Sequence, residues 1–289
     1  MTGLLYLERL SLTDLTALAE AEGGAEPLSD RVARLKEDPE RIGLLIDRPE
    51  VHQALFQQGN REEMVFTSPF LAFAVLLAQV TRELEQTAFV PERLAPRRVV
   101  PVFDAANLRA FAESRMRRMF LADVLASYTH VASGVVWTRG SRGWSRRKFS
   151  ELDPIHMARL IVESPQPARL ALYRRLGDLS LFLSGVFPDH VGNRLFGPSE
   201  MESLRRALSP GGRSGHAEDE RGRSEPVEFL EGLGRRSYRM ASAGTLPGAA
   251  GMADVLAEMA EDFSLARRVL NVLTERHLFP IRDRWFPAG

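Results

Sequence analysis

The residues best suited to chemistry lie in one short basic segment, Trp137–Phe149. This segment contains five positive charges, two tryptophans, two glycines and no acid. Its candidate contact residues are Arg139, Arg142, Trp144, Arg146, Arg147 and Lys148. Arginine binds phosphate or carboxylate through two parallel hydrogen bonds, and tryptophan stacks on nucleic-acid bases. The segment therefore predicts a contact surface for a polyanion, such as a nucleic acid, or for an acidic protein partner.

The segment has two interpretations, a contact surface or an arginine-rich solvated turn with tryptophans anchored in the core, and the charge of the neighbouring sequence bears on the first. Residues 93–150 contain 12 bases and 3 acids, whereas residues 1–66 contain 13 acids and 7 bases. The whole chain has zero net charge. Arg115 and Arg118, on the preceding helix, extend the candidate surface. We therefore expect a basic face on an otherwise neutral protein. The rarity of lysine is what a GC-rich bacterial genome produces.

A second candidate site surrounds Asp178, in the middle of an apolar helical stretch. A buried carboxylate is costly unless it is paired, and Arg174 lies four residues earlier on the same helix face. One interpretation is a structural ion pair between packed helices. The other is a pocket in which Tyr173, Arg174, Asp178 and Ser180 contact a small molecule.

Several classes of chemistry are excluded by what the sequence lacks. Without cysteine, the chain can form no disulfide, thiolate metal site or cysteine nucleophile. Neither lysine follows a glycine, which excludes a Walker-type phosphate loop. No Gly-x-Ser-x-Gly nucleophile elbow is present. We therefore expect no cofactor and favour a non-enzymatic protein.

The histidines also fail to predict a metal site. None of the six has a glutamate three residues before it, the spacing that places two ligands on one helix face. Asp153, three residues before His156, is better explained as a helix cap. His277 lies at the end of a predicted helix, where a positive charge suits the helix dipole. We expect no metal and interpret both residues as structural.

Prolines, caps and apolar periodicity predict the elements that position these residues. Two β-prone runs around a glycine-containing turn predict a hairpin at about 134–149. Three prolines make 89–102 a stiff extended connection. The fold class is therefore mainly α, a multi-helix bundle with one small β-hairpin. Its predicted helices are 11–22, 29–37, 39–46, 49–58, 69–88, 105–131, 154–163, 168–187, 198–208, 226–241 and 252–277.

The domain organisation follows from length and composition. We expect a single helical domain over 1–289, with an acidic N-terminal subregion at about 1–66. Residues 209–226 contain one apolar residue and predict a flexible loop. No signal peptide or membrane-length apolar run is visible, so we expect a cytoplasmic protein without a membrane partner.

Three hypotheses about function follow. The first is a non-enzymatic binding or regulatory protein that uses the basic hairpin. The second is a helical-bundle enzyme or small-molecule binder with a pocket around Asp178. The third is an assembly or adaptor component that forms a homo-oligomer through its apolar helices.

Overall fold

A computed structural model of the chain describes nine stretches of residues: 4–56, 67–95, 98–130, 133–140, 143–150, 152–191, 204, 226–244 and 250–278. The chain divides into two compact units. Unit 1 comprises Met1–Glu92, Pro101–Thr129 and Arg268–Pro287. Unit 2 comprises Arg93–Val100, His130–Arg267 and Ala288–Gly289. The single-domain organisation stays a prediction, and each unit is described by itself.

The architecture is mainly helical, as predicted. The helices before the basic hairpin are α1 Leu4–Leu7, α2 Leu12–Glu22, α3 Leu28–Glu37, α4 Pro39–Ile46, α5 Pro49–Phe56, α6 Pro69–Glu85, α7 Ala105–Glu113 and α8 Arg115–Ser127. Those after it are α9 Pro154–Glu163, α10 Gln166–Val186, the single turn α11 Pro188–His190, α12 Pro226–Ala243, α13 Ala250–Glu261 and α14 Phe263–Leu273. A π-helical turn, Thr274–Leu278, follows α14.

Helix α6 is the centre of unit 1. Its residues from Phe70 to Ala78 are all buried, and it packs against α4, α5, α7 and α8. Ser68 caps its first turn by accepting a hydrogen bond from the Leu71 amide, 3.2 Å long. The first three turns of this helix are apolar on all sides, which predicts a buried central helix, and its burial confirms this.

The carboxylate of Asp14 joins the starts of two helices. It accepts a hydrogen bond from the Ser11 amide, completing the capping box of α2. Its other oxygen accepts from the Ser68 amide at 2.8 Å. Asp14 is fully buried, so two backbone donors satisfy a carboxylate that would otherwise be costly to bury.

The single long helix predicted over 105–131 is wrong, because Ser114 divides it into α7 and α8. Ser114 adopts extended backbone angles of φ −69° and ψ 112°. The Arg118 guanidinium donates hydrogen bonds to the carbonyls of Ala112 (2.6 Å) and Glu113 (3.0 Å). These bonds satisfy carbonyls that the broken helix leaves open. The apolar stripe continues on both sides of Ser114, so periodicity conceals the break.

Unit 2 is built around α10, which packs against α9 and α12, while α12 also packs against α13. Gly177 lets α12 approach closely, because an added Cβ would lie 2.5 Å from ring atoms of Tyr238. Gly234 similarly lies under Phe263, whose ring would be 2.3 Å from such a Cβ. The stripe of small residues that begins at Gly177 on α10 predicts such an approach by a neighbouring helix, and the contact with Tyr238 confirms it.

Two further expectations need correction. The segment predicted as an extended connection instead forms two paired strands, β1 Val90–Ala95 and β2 Arg98–Val102. Both are edge strands, where proline is tolerated. The helix predicted over 252–277 is interrupted at Asp262, between α13 and α14.

Two predicted segments lie outside the described residues. The loop predicted over 209–226 lies there except for Pro226, which begins α12, and the helix predicted over 198–208 lies there except for Leu204. Within the part of the chain that the structure describes, no helix is both long and apolar enough to cross a bilayer.

Candidate functional site

The basic segment forms the predicted hairpin, which belongs to unit 2. Strands β3 Ser133–Gly140 and β4 Gly143–Ser150 pair antiparallel. Trp137 lies opposite Arg146, and Arg139 lies opposite Trp144. The connecting residues, including Arg142, lie outside the described part of the chain.

This register places most of the candidate contact positions on one face. Directly paired residues share a face, and so do residues two apart along a strand. The face that contains Trp137 also contains Arg139, Trp144, Arg146 and Lys148. Arg147 is paired with Val136 and lies on the opposite face. The basic face is defined here as the positions Trp137, Arg139, Trp144, Arg146 and Lys148.

Arg115 and Arg118 lie in unit 1, where both contact the carboxylate of Asp47. Arg115 donates from Nη2 at 3.0 Å to Oδ2, and Arg118 donates to Oδ1. Arg118 is only 5% exposed and also bonds the two carbonyls that end α7. The structure therefore gives these arginines a structural role, and we do not include them in the basic face.

Asp178 lies inside unit 2 and is paired. Its Oδ1 accepts a hydrogen bond of 2.9 Å from the hydroxyl of Tyr238 on α12. Its Oδ2 lies 3.9 Å from Nε of Arg174, one helical turn earlier. These contacts match the interpretation as a structural ion pair, extended by a tyrosine that the sequence interpretation did not include.

The other residues of the predicted pocket do not add a polar opening around Asp178. Ser180 is fully buried, and its hydroxyl donates to the Leu176 carbonyl of its own helix at 2.7 Å. Tyr173 is half-buried on the same helix, one turn before Gly177. Tyr173, Arg174, Asp178 and Ser180 thus share α10, while Tyr238 from α12 closes over the carboxylate. Neither of the two cavities described below involves any of them.

A cleft in unit 1 contains chemistry that the sequence interpretation missed. It has a volume of about 300 Å³. Its lining residues are Pro49, His52, Gln53, Gln79, Arg82, Glu83 and Gln86. Three of these positions come from α5, three come from α6 and Gln86 is the C-cap of α6. We refer to the seven positions as the unit 1 cleft. A second cavity, of about 640 Å³, lies mainly between α2 and α5 and has lining that includes Thr13, Ala17 and Ala54.

A charged cluster borders the unit 1 cleft. Glu83 accepts hydrogen bonds from Gln79 (2.9 Å) and Arg276 (3.1 Å), and its carboxylate lies 3.0 Å from Nε2 of His277. These partners hold the pKa of Glu83 below its ordinary value although burial opposes this. Because the contributing residues are separated by almost 200 positions, no local motif could predict the cluster.

The arrangement does not suggest a metal centre. Across the described residues, no group of three or more His, Asp or Glu side chains is placed to hold a metal ion. Asp153 instead caps α9, accepting hydrogen bonds from the amides of Ile155 and His156. No protein family, curated protein or solved structure matches this chain.

Proposed function

We propose that this is a non-enzymatic binding protein that contacts nucleic acid through the basic face of its hairpin. The observation that supports this most is the register of β3 and β4, which brings two tryptophans and three basic residues to the same face. The proposal does not include Arg147, which lies on the opposite face of the hairpin. It also does not include Arg115 and Arg118, because both bond the carboxylate of Asp47 within unit 1.

The alternation of residue types on the basic face fits a nucleic acid better than an acidic protein. Trp137 and Trp144 occupy diagonal positions, and Arg139 and Arg146 occupy the other diagonal. Diagonal neighbours of this kind lie about 7–8 Å apart between Cα atoms. Arginine contacts phosphate, whereas tryptophan offers a stacking surface for any base. An acidic protein surface would supply carboxylates but no succession of flat rings.

The length of the hairpin also fits contact with a nucleic acid. Each strand has eight residues, so the ribbon is about 26 Å long at roughly 3.3 Å per residue. A two-stranded ribbon can enter a major groove, and an aromatic and basic face can also follow a single strand. The proposal predicts contact with several consecutive phosphates in either case.

The adjacent residues Arg146 and Arg147 provide a matched test, because the register puts them on opposite faces. Binding of a labelled single strand and of the corresponding duplex is measured by fluorescence anisotropy over a series of salt concentrations. Arg146→Ala should weaken binding and flatten the log–log salt slope by about 0.7 for a single strand or 0.9 for a duplex. Arg147→Ala should leave both quantities close to those of the unmodified protein.

Two outcomes would contradict the proposal. One is the absence of binding to both nucleic acids at low salt, which would favour the acidic protein partner. The other is an equal loss of affinity in Arg146→Ala and Arg147→Ala, because this would show that binding does not depend on which face of the hairpin is changed. Circular dichroism of each variant checks that the hairpin change has left the helical fold intact.

A further inference from the structure

Arg82 has an incompletely compensated positive charge in the unit 1 cleft. Its Nη1 donates to the Asp47 carbonyl at 2.6 Å, and its Nη2 donates to the Gln79 side-chain oxygen at 2.7 Å. Both acceptors are neutral. The nearby carboxylates of Asp47 and Glu83 are paired with other arginines. Each terminal nitrogen has a second N–H, so the group can still donate to an anion.

Arg82 is half-buried, and the partial loss of solvent around its guanidinium favours a counter-charge beside it. Desolvation is the largest influence on Arg82 and lowers its pKa, although the carboxylates of Asp47, Glu83 and Glu50 act in the opposite direction. A guanidinium remains charged at any physiological pH. A bound anion would therefore gain from a donor that water solvates poorly.

His52 is the second polar group of the cleft that can bond a ligand. It is only 7% exposed. Its ring contacts Phe56 and His277, with centroid distances of 5.4 Å and 6.2 Å. In the described part of the chain, no side chain or backbone group forms a hydrogen bond with its ring nitrogens. Neither ring nitrogen is among the buried side-chain atoms that lack a partner, so the imidazole is open to the cleft and can bond a ligand there.

The acidic residue of the cleft does not oppose an anion strongly. Glu83 already has three partners, Gln79, Arg276 and His277, two of which can bear a positive charge. Arg276 and, when it is protonated, His277 therefore offset the negative charge of Glu83. The charge that remains available to a ligand is that of Arg82.

We propose that the unit 1 cleft binds a small oxyanion, the phosphate or carboxylate group of a metabolite, between the Arg82 guanidinium and the His52 imidazole. The amides of Gln53 and Gln86 provide further donors at the edge of the cleft. A volume of about 300 Å³ corresponds to roughly ten water molecules at about 30 Å³ each. The ligand is therefore a small molecule, and this site is independent of the hairpin.

The test is a titration of the full chain with inorganic phosphate and, separately, with oxalate. Isothermal titration calorimetry measures the binding of each probe. Chloride keeps the ionic strength constant, and the tighter of the two probes identifies the kind of oxyanion. Arg82→Gln should weaken binding by about tenfold or more, the effect expected of a lost charge-assisted hydrogen bond. The exposed Lys36→Gln, which removes a positive charge outside the cleft, should bind normally. Arg146→Ala should also bind normally, which separates this site from the basic face.

His52→Asn keeps the test decisive if Arg82→Gln fails to fold, since it removes no hydrogen bond of the described chain. In the unmodified protein, the affinity for oxalate, which stays fully ionised over this range, should rise as the pH falls below 6.5, because a protonated His52 attracts the anion. The His52→Asn variant keeps the other charged groups near the cleft, so any pH dependence that they cause persists. These groups are Glu83, His277, Arg276 and Glu50. The rise should be reduced in His52→Asn. The proposal is overturned if neither probe binds, or if His52→Asn and Arg82→Gln both retain full affinity at every pH.

Discussion

The hydroxyl of Tyr238 donates a 2.9 Å hydrogen bond to the buried carboxylate of Asp178, from a different helix and 60 residues along the chain. On its other side Asp178 faces Arg174, whose side chain is 30% exposed. The pair ties α12 to α10 at the level where Gly177 allows the helices to approach. This contact explains how an acid is accommodated in the most apolar part of unit 2.

Loss of that hydrogen bond should lower stability. Tyr238→Phe keeps the packed ring but removes the donor, and we expect a loss of about 1–3 kcal/mol in the free energy of unfolding, as for bonds to charged groups. Chemical denaturation measures the change. Asp178→Ala should cost at least as much, while Asp254→Ala, on the exposed side of α13, should be close to neutral. Equal stability of the Asp178 and Asp254 variants would refute the structural role.

Two glycines of α12 should respond in opposite directions to the same substitution. A Cβ at Gly232 meets nothing within 4 Å, so Gly232→Ala should stabilise the protein by about 0.5–1 kcal/mol through helix propensity. A Cβ at Gly234 would lie 2.3 Å from Phe263, and Gly234→Ala should destabilise by about 1–3 kcal/mol through overpacking. Thermal unfolding of the two variants tests the prediction. A stabilising Gly234→Ala would show that the Phe263 ring moves without cost.

Removal of the Asp47 carboxylate should destabilise unit 1. Asp47→Ala leaves the buried guanidinium of Arg118 with only the carbonyls of α7 as partners. The expected loss is about 3 kcal/mol, near the lower end for a broken buried ion pair. Asp30→Ala, at an exposed position of α3, is the control and should change the unfolding free energy little. A similar small effect of Asp47→Ala would mean that Arg118 is satisfied by carbonyls alone.

Acidification should destabilise the protein in two separate steps. Burial, followed by repulsion from His277 and Arg82, lowers the pKa of His52 from its ordinary value of 6.5. The imidazole of His52 therefore binds a proton more readily in the unfolded chain than in the folded one. The neutral His52 contributes stability that is complete above pH 6.5 and is lost as the pH falls towards the lowered pKa. Glu83, whose pKa lies below 4.5, contributes stability that is lost only as the pH falls below 4.5 and through its lowered pKa.

The two steps can be separated by mutation. His52→Asn should remove the first loss and preserve the second, as measured by denaturation midpoints across pH in buffers without phosphate or carboxylate. Glu83→Gln should affect the second instead. If His52→Asn retains the full loss of stability just below pH 6.5, another group is responsible for it.

The tryptophans of the basic face should contribute to binding by stacking. Trp144→Ala should weaken binding of a single strand by about 1–3 kcal/mol while leaving the salt slope unchanged. Phe149, paired with Gly134, lies on the opposite face, so Phe149→Ala should bind nucleic acid normally. Loss of affinity together with a lowered melting temperature in Trp144→Ala would instead identify this residue as a core anchor.

The features that depend on local chemistry can be predicted from the order of residues alone. Prolines at the first turn predicted the starts of α4, α5 and α6, because a fixed φ and a missing N–H suit that position. The apolar content of α6 predicted its burial, and β-prone runs around glycine predicted the hairpin. These preferences act over a few residues, so they can be recognised without knowledge of the fold.

The pairing of residues that are distant in the sequence depends on the complete fold. The break at Ser114 depends on Arg118, which is held by Asp47 from another helix. Asp178 is closed by Tyr238, and the unit 1 cleft combines α5 and α6 with charges from the C-terminal turn. The division of the basic segment into two faces likewise required the register of β3 and β4. Long-range pairing is selected by packing and by satisfaction of buried polar groups, which are properties of the whole fold that local spacing does not contain.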